Sequence, residues 1–427
     1  MNKVVLAYSG GSDTSLAVAS LREHHGVEVV TLSVDLGGGS LAPGVEQRAL
    51  AAGASKAWLV DARETFLAHY VWRALQAGAV YQGAYPLATA LARPLLAQLL
   101  VEVAQREGAD GVAHGSVGKG NDQLRFDIAV HALDPGLGVV APMRVGTGGP
   151  RDAEDEAAAR AAGTVDHDGP AYSIDVNIWG RSCETGPLED PWAAPPAEVF
   201  VWTVAPADAP EPLELTIGFE GGIPVSIDGE WLGSVELVER LNAVGGRHGV
   251  GRIDHVEDRL VGIKSREIYE APAAVILHAA HRALEGLVLS REQLRFNRLV
   301  ADELARIIYD GLWFSALSRD LRTYVLSSQR VVSGDVRLLL DHGQAIVVGR
   351  RSPLSLYDRN LVTYEEGDAF DHASAAGFIE IFGLPLRVEA ARHGAVGRHH
   401  GAAWTWTEPL LERLPTTVAG GTAAGAG

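Results

Sequence analysis

Residues 4–15 read VVLAYSGGSDTS. An apolar, β-branched run ends in two glycines set among hydroxyls, and a helical pattern follows. That succession describes a strand, a turn in which backbone amides can approach an anion, and the positive N-terminus of a helix. Three kinds of phosphate-binding loop compete for such a stretch. A dinucleotide fingerprint needs G-x-G-x-x-G, and residues 10–15 (GGSDTS) lack the later glycines. A Walker loop needs G-x-x-x-x-G-K-[ST], and no lysine follows here. What remains is S-G-G-x-D-[ST]-S, with hydroxyls at Ser9, Thr14 and Ser15. Without a lysine to grip a γ-phosphate, this loop suits holding pyrophosphate while the α-phosphate is attacked. Asp13 is the candidate for placing a magnesium ion or orienting the loop. A plain connecting turn would have no use for two glycines, three hydroxyls and an acid together.

Working outward, short β-branched runs alternate with helical patterns through the first 165 residues. The strands expected are Val4–Ala7, Val27–Val34, Ala57–Val60, Gly111–His114 and Val139–Pro142. The helices between them are expected at Thr14–His24, Gly44–Ala52, Arg63–Ala77, Ala92–Glu107, Asp122–Ala132 and Ala153–Ala162. This alternation predicts right-handed βαβ units and an α/β domain with a doubly wound parallel sheet. Ligands of such sheets sit beyond the carboxyl ends of the strands, where Ser9 and Gly10 fall. Residues 165–215 are rich in Pro, Asp and Gly and read as loops and connectors. Beyond them Leu213–Ile227 reads as paired strands turning at EGG and IDG. Helices at Ser234–Val244, Ala273–Leu284, Ala301–Tyr309 and Leu317–Ser328, and strands at Val336–Leu340 and Ala345–Val348, complete an α+β second domain. The expected division is 1–165, 166–385, and a C-terminal arm 386–427 whose low-complexity end, TTVAGGTAAGAG, is expected to be disordered.

Composition bounds the function. The chain has 427 residues and 47% apolar content, enough for two or three domains with real cores. A net charge of −18 argues against standing attachment to nucleic acid or anionic membrane. No apolar run reaches a membrane-spanning length of about 18–20 residues, and the N-terminus turns polar too soon for a signal peptide. The single cysteine, Cys183, permits no intrachain disulfide, suits a cytoplasmic protein and is read as incidental. Lysine is nearly absent, so Lys119 and Lys264, each inside a motif, carry more weight than usual.

Residues 114–125 read HGSVGKGNDQLR, after the fourth expected strand and into a helix. Asp122 and Arg125 are three apart and Asn121 and Arg125 four apart, so an amide, an acid and a guanidinium share one helix face. Such a set can hold a zwitterion: Asp122 takes an ammonium, Arg125 a carboxylate, and Asn121 bridges. An ordinary ion pair at a solvated helix start is the plainer alternative, made less apt by the G-x-x-G-x-G before it.

The phrase AYSGGSDTS resembles the pyrophosphate loop of the N-type ATP pyrophosphatases. Together with GAVYQGAYPLATALARP, HGSVGKGNDQLRF, the YSID–S segment, LEDPW, GGRHGVGRIDHVEDRLVGIKSREIYE and SPLSLY, in that order over residues 4 to about 385, the chain resembles the argininosuccinate synthase family. That resemblance implies ATP-dependent ligation of citrulline and aspartate through citrullyl-AMP. It implies ATP and Mg²⁺ as cofactors, amino acids as small-molecule partners, and a homotetramer. It assigns ATP to Ala7, Tyr8, Ser9, Gly10, Gly11, Ser12, Asp13, Thr14 and Ser15, with Val34 and Gly115. It assigns the amino-acid substrates to Tyr85, Asn121, Asp122, Arg125, Ser173, Ser182, Glu257 and Tyr269. Asp13, Asp122 and Arg125 are the residues expected nearest the chemistry. Taken singly, each has an ordinary structural role, such as Tyr85 or Tyr269 in a core.

The departures from the pattern fall on binding positions. Ser12 stands where leucine is usual. LGTS is LATA here, which puts Ala88 for a glycine and Ala90 for a citrulline-contacting serine. Val117 replaces a threonine expected to hold aspartate's carboxylate, with Ser116 beside it, and Glu267 replaces the glycine of SRGIYE. A diverged enzyme acting on another ureido or carboxyl acceptor is therefore an alternative. Other adenylating pyrophosphatases are rivals (a tRNA-thiolating enzyme, NAD synthetase, an amidotransferase synthetase subunit), as is a non-catalytic nucleotide or metabolite sensor. The acidic charge and the single cysteine count against the tRNA-thiolating reading.

Overall fold

The computed structural model describes residues 1–116, 118–144 and 172–399, and side chains for all of these except 12, 13 and 394–399. Val117, the expected helix Ala153–Ala162, the expected boundary at 165 and the low-complexity end lie outside the described residues.

The first sheet is made of β1 (Lys3–Ala7), β2 (Glu28–Asp35), β3 (Lys56–Asp61), β4 (Gly111–Ala113) and β5 (Gly138–Val140), all parallel in the order β3-β2-β1-β4-β5. Alternation along β1 explains its burial on both faces. Val4 and Leu6 pack with Ala17, Val18 and Leu21 of the helix Ser12–His25, whereas Val5 belongs to the main core on the other side. The strand order reverses between β1 and β4, so the crevice at their carboxyl ends is the expected ligand position.

Two antiparallel sheets follow. One contains β8 (Leu213–Glu220), β9 (Ile223–Ile227), β10 (Glu230–Trp231), β13 (Gly334–Asp341) and β14 (Gln344–Arg351), ordered β10-β9-β8-β13-β14. The helix Pro272–Val288 lies against β13 and β14 and buries Ile276, Leu277, Ala280 and Leu284 in the main core. The other contains β6 (Ser173–Asn177), β7 (Gly180–Glu184), β11 (Arg252–Asp258) and β12 (Lys264–Glu270), ordered β11-β12-β7-β6.

The parallel sheet and the β8–β9 and β13–β14 pairs follow the sequence expectation. Residues 165–215 do not, because β6 and β7 form a hairpin within them. The helix expected from Ala92 starts four residues earlier, at Ala88, with Pro94 inside it. Its first amides find an unexpected acceptor: the Tyr85 hydroxyl takes Thr89 N at 2.9 Å and Ala90 N at 3.3 Å. The segment Arg63–Ala77 is helical throughout, with a π turn at Leu67–Val71. Residues Met1–Tyr357 form one compact unit and Asp358–Gly427 another, the second containing helices His372–Phe382 and Leu384–His399. Among the described residues no helix is long and apolar enough to cross a membrane.

Candidate active site

The glycine-rich loop leaves β1 at half-buried Ala7. Tyr8 is buried beneath it: its carbonyl accepts from the Ser33 hydroxyl at 2.9 Å and its own hydroxyl meets Ser15 Oγ at 2.9 Å. Gly10 has φ 84°, and a Cβ there would lie 3.1 Å from Val45 Cγ2, so both backbone conformation and space select glycine. Gly11 precedes the helix in extended conformation with no side-chain cap. Its carbonyl accepts from Thr14 Oγ1 and Ser15 Oγ, at 3.1 and 3.0 Å. Ser9 is exposed and meets the Thr14 hydroxyl at 3.2 Å. The loop thus keeps uncapped helix amides and ordered hydroxyls together, an arrangement that suits an anion. Val34 is buried near the end of β2, beside β1. The side chains of Ser12 and Asp13 lie outside the described set.

The segment after β4 connects this loop to a cavity. A Cβ on Gly115 would lie 3.4 Å from Thr14 Cγ2, and Gly120, five residues on, lines the cavity. Its other walls include Tyr85, Thr89, Asn121, Asp122, Arg125, Asp175, Ser182, Glu184, Glu257, Arg259, Glu267 and Tyr269.

Register explains how the second half of this set converges. Tyr269 pairs with Ser182, Ser182 with Asp175, and Ser265 with Glu257. Side chains alternate along a strand, so Ser182 and Glu184, Glu267 and Tyr269, Asp175, and Glu257 share one sheet face. The opposite face takes Cys183 and Ile268 into a small core with Leu188 and Val199.

Helix Asp122–Leu133 supplies the rest. Asp122 accepts from Arg125 Nη1 at 2.9 Å and from Arg93 Nη2 at 2.6 Å, and Arg93 Nη2 also reaches Asp175 at 2.8 Å. Burial opposes ionisation of Asp122, but Arg93 and Arg125 outweigh it and hold the carboxyl down at about 2. Arg125 is buried, donates Nε to the Tyr309 carbonyl, and keeps Nη2 without a partner among the described residues. Asn121 is buried, donating Nδ2 to the Tyr309 hydroxyl at 2.8 Å and accepting from Leu260 N at 3.0 Å.

Glu257 is buried beneath two phenols: Tyr269 donates at 2.6 Å and Tyr309 at 2.5 Å. Tyr85 stacks on Tyr269 with centroids 4.3 Å apart, Tyr81 stacks on Tyr309 at 3.7 Å, and Arg125 lies over the Tyr309 ring. Burial raises Tyr85, Tyr269 and Tyr309 above the usual phenol range, so all three remain protonated donors at neutral pH. At the far wall Arg259 bridges Glu184 and Glu267, contacting the latter at 3.2 Å.

Of the residues expected to hold amino acids, Tyr85, Asn121, Asp122, Arg125, Ser182, Glu257 and Tyr269 line this one cavity. Ser173 does not; it is exposed near the end of β6, opposite Glu184 in the register. Ala90 is fully buried and off the cavity wall, whereas its neighbour Thr89 is one of the lining residues. Lys119 is exposed, with its carbonyl 3.4 Å from Arg259 Nη1, and Lys264 pairs with Asp258. Sequence reading missed Tyr309, Arg93, Asp175 and Glu184. Tyr309 ends an amphipathic helix nearly two hundred residues from Asn121, and no local pattern marks it. Arg93 could have been suspected as a charge in the otherwise largely buried helix Ala88–Glu107.

Comparison with known proteins agrees in both halves of the chain. The family model for the argininosuccinate synthase N-terminal HUP domain matches residues 3–162, and that for the C-terminal domain matches 172–389. Three similar relatives are each named argininosuccinate synthase. That of Dehalococcoides mccartyi (strain 195) is 51% identical over 91% of this chain and 96% of its own length. That of Symbiobacterium thermophilum is 51% identical over 91% of this chain and 98% of its own. That of Gloeobacter violaceus is 53% identical, again over 91% and 98%. On both its domains and over nearly its whole described length, the chain belongs to the argininosuccinate synthase family.

Proposed function

We propose that this protein ligates citrulline and aspartate with ATP, through citrullyl-AMP, to give argininosuccinate, AMP and pyrophosphate. The observation that carries this reading is the convergence of Tyr85, Asn121, Asp122, Arg125, Ser182, Glu257 and Tyr269 on one cavity, with Gly120 in its wall and Gly115 close to Thr14 of the glycine-rich loop.

The chemistry follows from these groups. A ureido oxygen is a weak nucleophile, so the protein acts by holding it in line with the α-phosphorus and by stabilising charge. The oxygen attacks phosphorus and pyrophosphate leaves with the bonding electrons. Backbone amides at residues 9–15, with the hydroxyls of Ser9, Thr14 and Ser15, receive that leaving group. Val34 and Gly115 flank the nucleotide. A magnesium ion bound with ATP would neutralise the phosphates, and Asp13 is the protein's candidate residue to hold it.

Arg125 receives citrulline's carboxylate on its unpartnered Nη2, and Tyr85, Ser182, Glu257 and Tyr269 shape the pocket around that substrate. Asp122, kept ionised by Arg93 and Arg125, receives the ammonium of aspartate. Aspartate's amine then displaces AMP at the ureido carbon: a C–N bond forms, the C–O bond to AMP breaks, and its electrons leave with the phosphate. Ser173 lies outside the cavity wall and is assigned to its rim. Ala90 is fully buried and is not among the cavity-lining residues, which weakens the case it makes for an altered acceptor.

We also propose a cytoplasmic homotetramer, with residues 1–165 as the nucleotide-binding part, 166–385 as the synthetase and multimerisation part, and 386–427 as an arm. The functional test is pyrophosphate release across a panel of ureido acids and amine donors, with products identified by mass spectrometry. Release that requires citrulline, with argininosuccinate formed only when aspartate is added, is the expected result. Release with another acceptor and none with citrulline would sink the reading.

A further inference from the structure

The segment between β4 and helix Asp122–Leu133 touches both halves of the site, and one buried imidazole holds it. A Cβ on Gly115 would lie 3.4 Å from Thr14 Cγ2, and one on Gly118 would lie 2.6 Å from the Arg144 carbonyl oxygen, while Gly120 lines the cavity. His114, directly after β4 and 1% exposed, stands at the root of this segment. Its ring stacks on Phe126 with centroids 5.1 Å apart. Nδ1 accepts from the Ser116 amide at 3.3 Å, and Nε2 lies 3.0 Å from Asp127 Oδ1. Arg144 Nη2 in turn donates to both Asp127 oxygens at 2.7 Å. A backbone amide can only donate, so Nδ1 carries no proton; a carboxylate can only accept, so Nε2 carries one. The two contacts together fix a neutral imidazole in one tautomer.

We propose that His114 is a positioning residue for the ligation: clamped by Asp127 and Arg144, it holds the Ser116 amide and so sets the affinity for ATP and aspartate. This rests on the proposed function and deepens it, since His114, Asp127 and Arg144 lie outside the residue set that the resemblance assigns. Gly115 flanks the nucleotide, and the segment runs on into Asn121 and Asp122, whose carboxylate receives aspartate's ammonium. Citrulline's neighbours Tyr85, Ser182, Glu257 and Tyr269 stand on other elements, and Arg125 is anchored separately on the Tyr309 carbonyl. Loss of the Ser116 contact therefore reaches ATP and aspartate and spares citrulline. The charged groups around the ring are Asp127 and Asp122 on the helix and Arg144 after β5. Burial lowers the imidazole below its usual range against the pull of Asp127, in keeping with the neutral form that the geometry requires.

The experiment is steady-state kinetics of the full-length protein, each of the three substrates varied in turn, on His114→Gln, His114→Asn and Asp127→Asn. Glutamine keeps a donor towards Asp127 and gives up the acceptor at Nδ1. Asparagine carries its carbonyl oxygen where Nδ1 stands and gives up the donor. Asp127→Asn offers the ring an N–H, which favours the tautomer protonated on Nδ1. His114→Gln and Asp127→Asn are expected to raise KM for ATP and for aspartate roughly tenfold, and KM for citrulline by less than about twofold. His114→Asn is expected to recover most of that loss, a difference from glutamine that a merely structural role would not produce. Circular dichroism identifies a variant that fails to fold, and Asp127→Asn reads the same KM split where a His114 variant does. Unchanged KM values in His114→Gln and Asp127→Asn overturn this inference alone. Equal impairment by asparagine and glutamine does so too, as does a citrulline KM that rises in step with the others. A wild type that forms no argininosuccinate overturns the functional reading, and this one with it.

Discussion

Tyr309 shows how much one side chain can organise. Its hydroxyl accepts from Asn121 and donates to Glu257, its carbonyl accepts from Arg125, and its ring carries Tyr81 and the Arg125 guanidinium. Tyr309→Phe keeps the stacking and removes both hydroxyl bonds, leaving a buried carboxylate with one donor fewer. Hydrogen bonds to charged groups contribute about 1.5–3 kcal/mol. We expect urea unfolding to show a loss of that order and kcat/KM to fall roughly ten- to a hundredfold. Unchanged kinetics would remove Tyr309 from the site. Glu267 makes the opposite kind of prediction. Its carboxyl titrates higher in the native state than in the unfolded chain, so the native state binds that proton more tightly. The stability this supplies is fully present below the ordinary carboxyl range and is lost as pH rises through the native value. Glu267→Gln should therefore match the wild type most nearly at about pH 4.5, the ordinary carboxyl range, and exceed it at pH 8. Differential scanning calorimetry at the two pH values checks this, and a gap independent of pH would refute it.

The elements that build the site were the least legible in sequence, for a physical reason. β11 reads RIDHVED and β12 reads KSREIYE. Strand periodicity is normally read as apolar residues alternating with polar ones, but here one face serves a polar cavity and the other is partly solvated, so the apolar signal vanishes. The β6–β7 hairpin was hidden likewise, with its short strands set among Pro- and Gly-rich connectors. Helix Ala88–Glu107 starts four residues before its expected Ala92, and its first amides are met by the Tyr85 hydroxyl from outside the helix, a contact that no local pattern marks. By contrast, the loop after β1 and the Asn121–Arg125 face could be read directly, because glycine conformation and helical spacing are local properties. β12 also carries a group that pins its surroundings. Glu270 is fully buried and accepts from Arg181, from the amides of Val201, Trp202 and Thr203, and from the Thr203 hydroxyl. Removing one partner of a buried charge pair costs about 3–5 kcal/mol. Glu270→Ala should destabilise the protein on that scale in denaturant titrations, and a loss under about 1 kcal/mol would show that water replaces the carboxylate there.

At the scale of the whole chain, the parallel sheet was readable because βαβ alternation repeats at regular spacing and its strands are apolar on both faces. The C-terminal unit offered no such regularity, and its chemistry is that of a surface in want of a cover. Helix His372–Phe382 exposes Phe378, Ile379, Ile381 and Phe382, and helix Leu384–His399 exposes Leu386 and Val388. Phe378 and Phe382 stack with centroids 5.3 Å apart, forming a ready-made apolar ridge. Burying such a side chain contributes about 1.5–3 kcal/mol, and a closed tetramer gains that contribution at every copy of the contact. The proposed homotetramer therefore has a specific point of failure. Replacing both phenylalanines by serine leaves Met1–Tyr357 with its own cores, none of which includes them. Light scattering coupled to size-exclusion chromatography should find the wild type as a tetramer and F378S/F382S as a smaller species with unchanged near-ultraviolet signal from the tyrosines and tryptophans of the first unit. A double variant that stays tetrameric would move the assembly contacts elsewhere, and a monomeric wild type would remove the tetramer altogether.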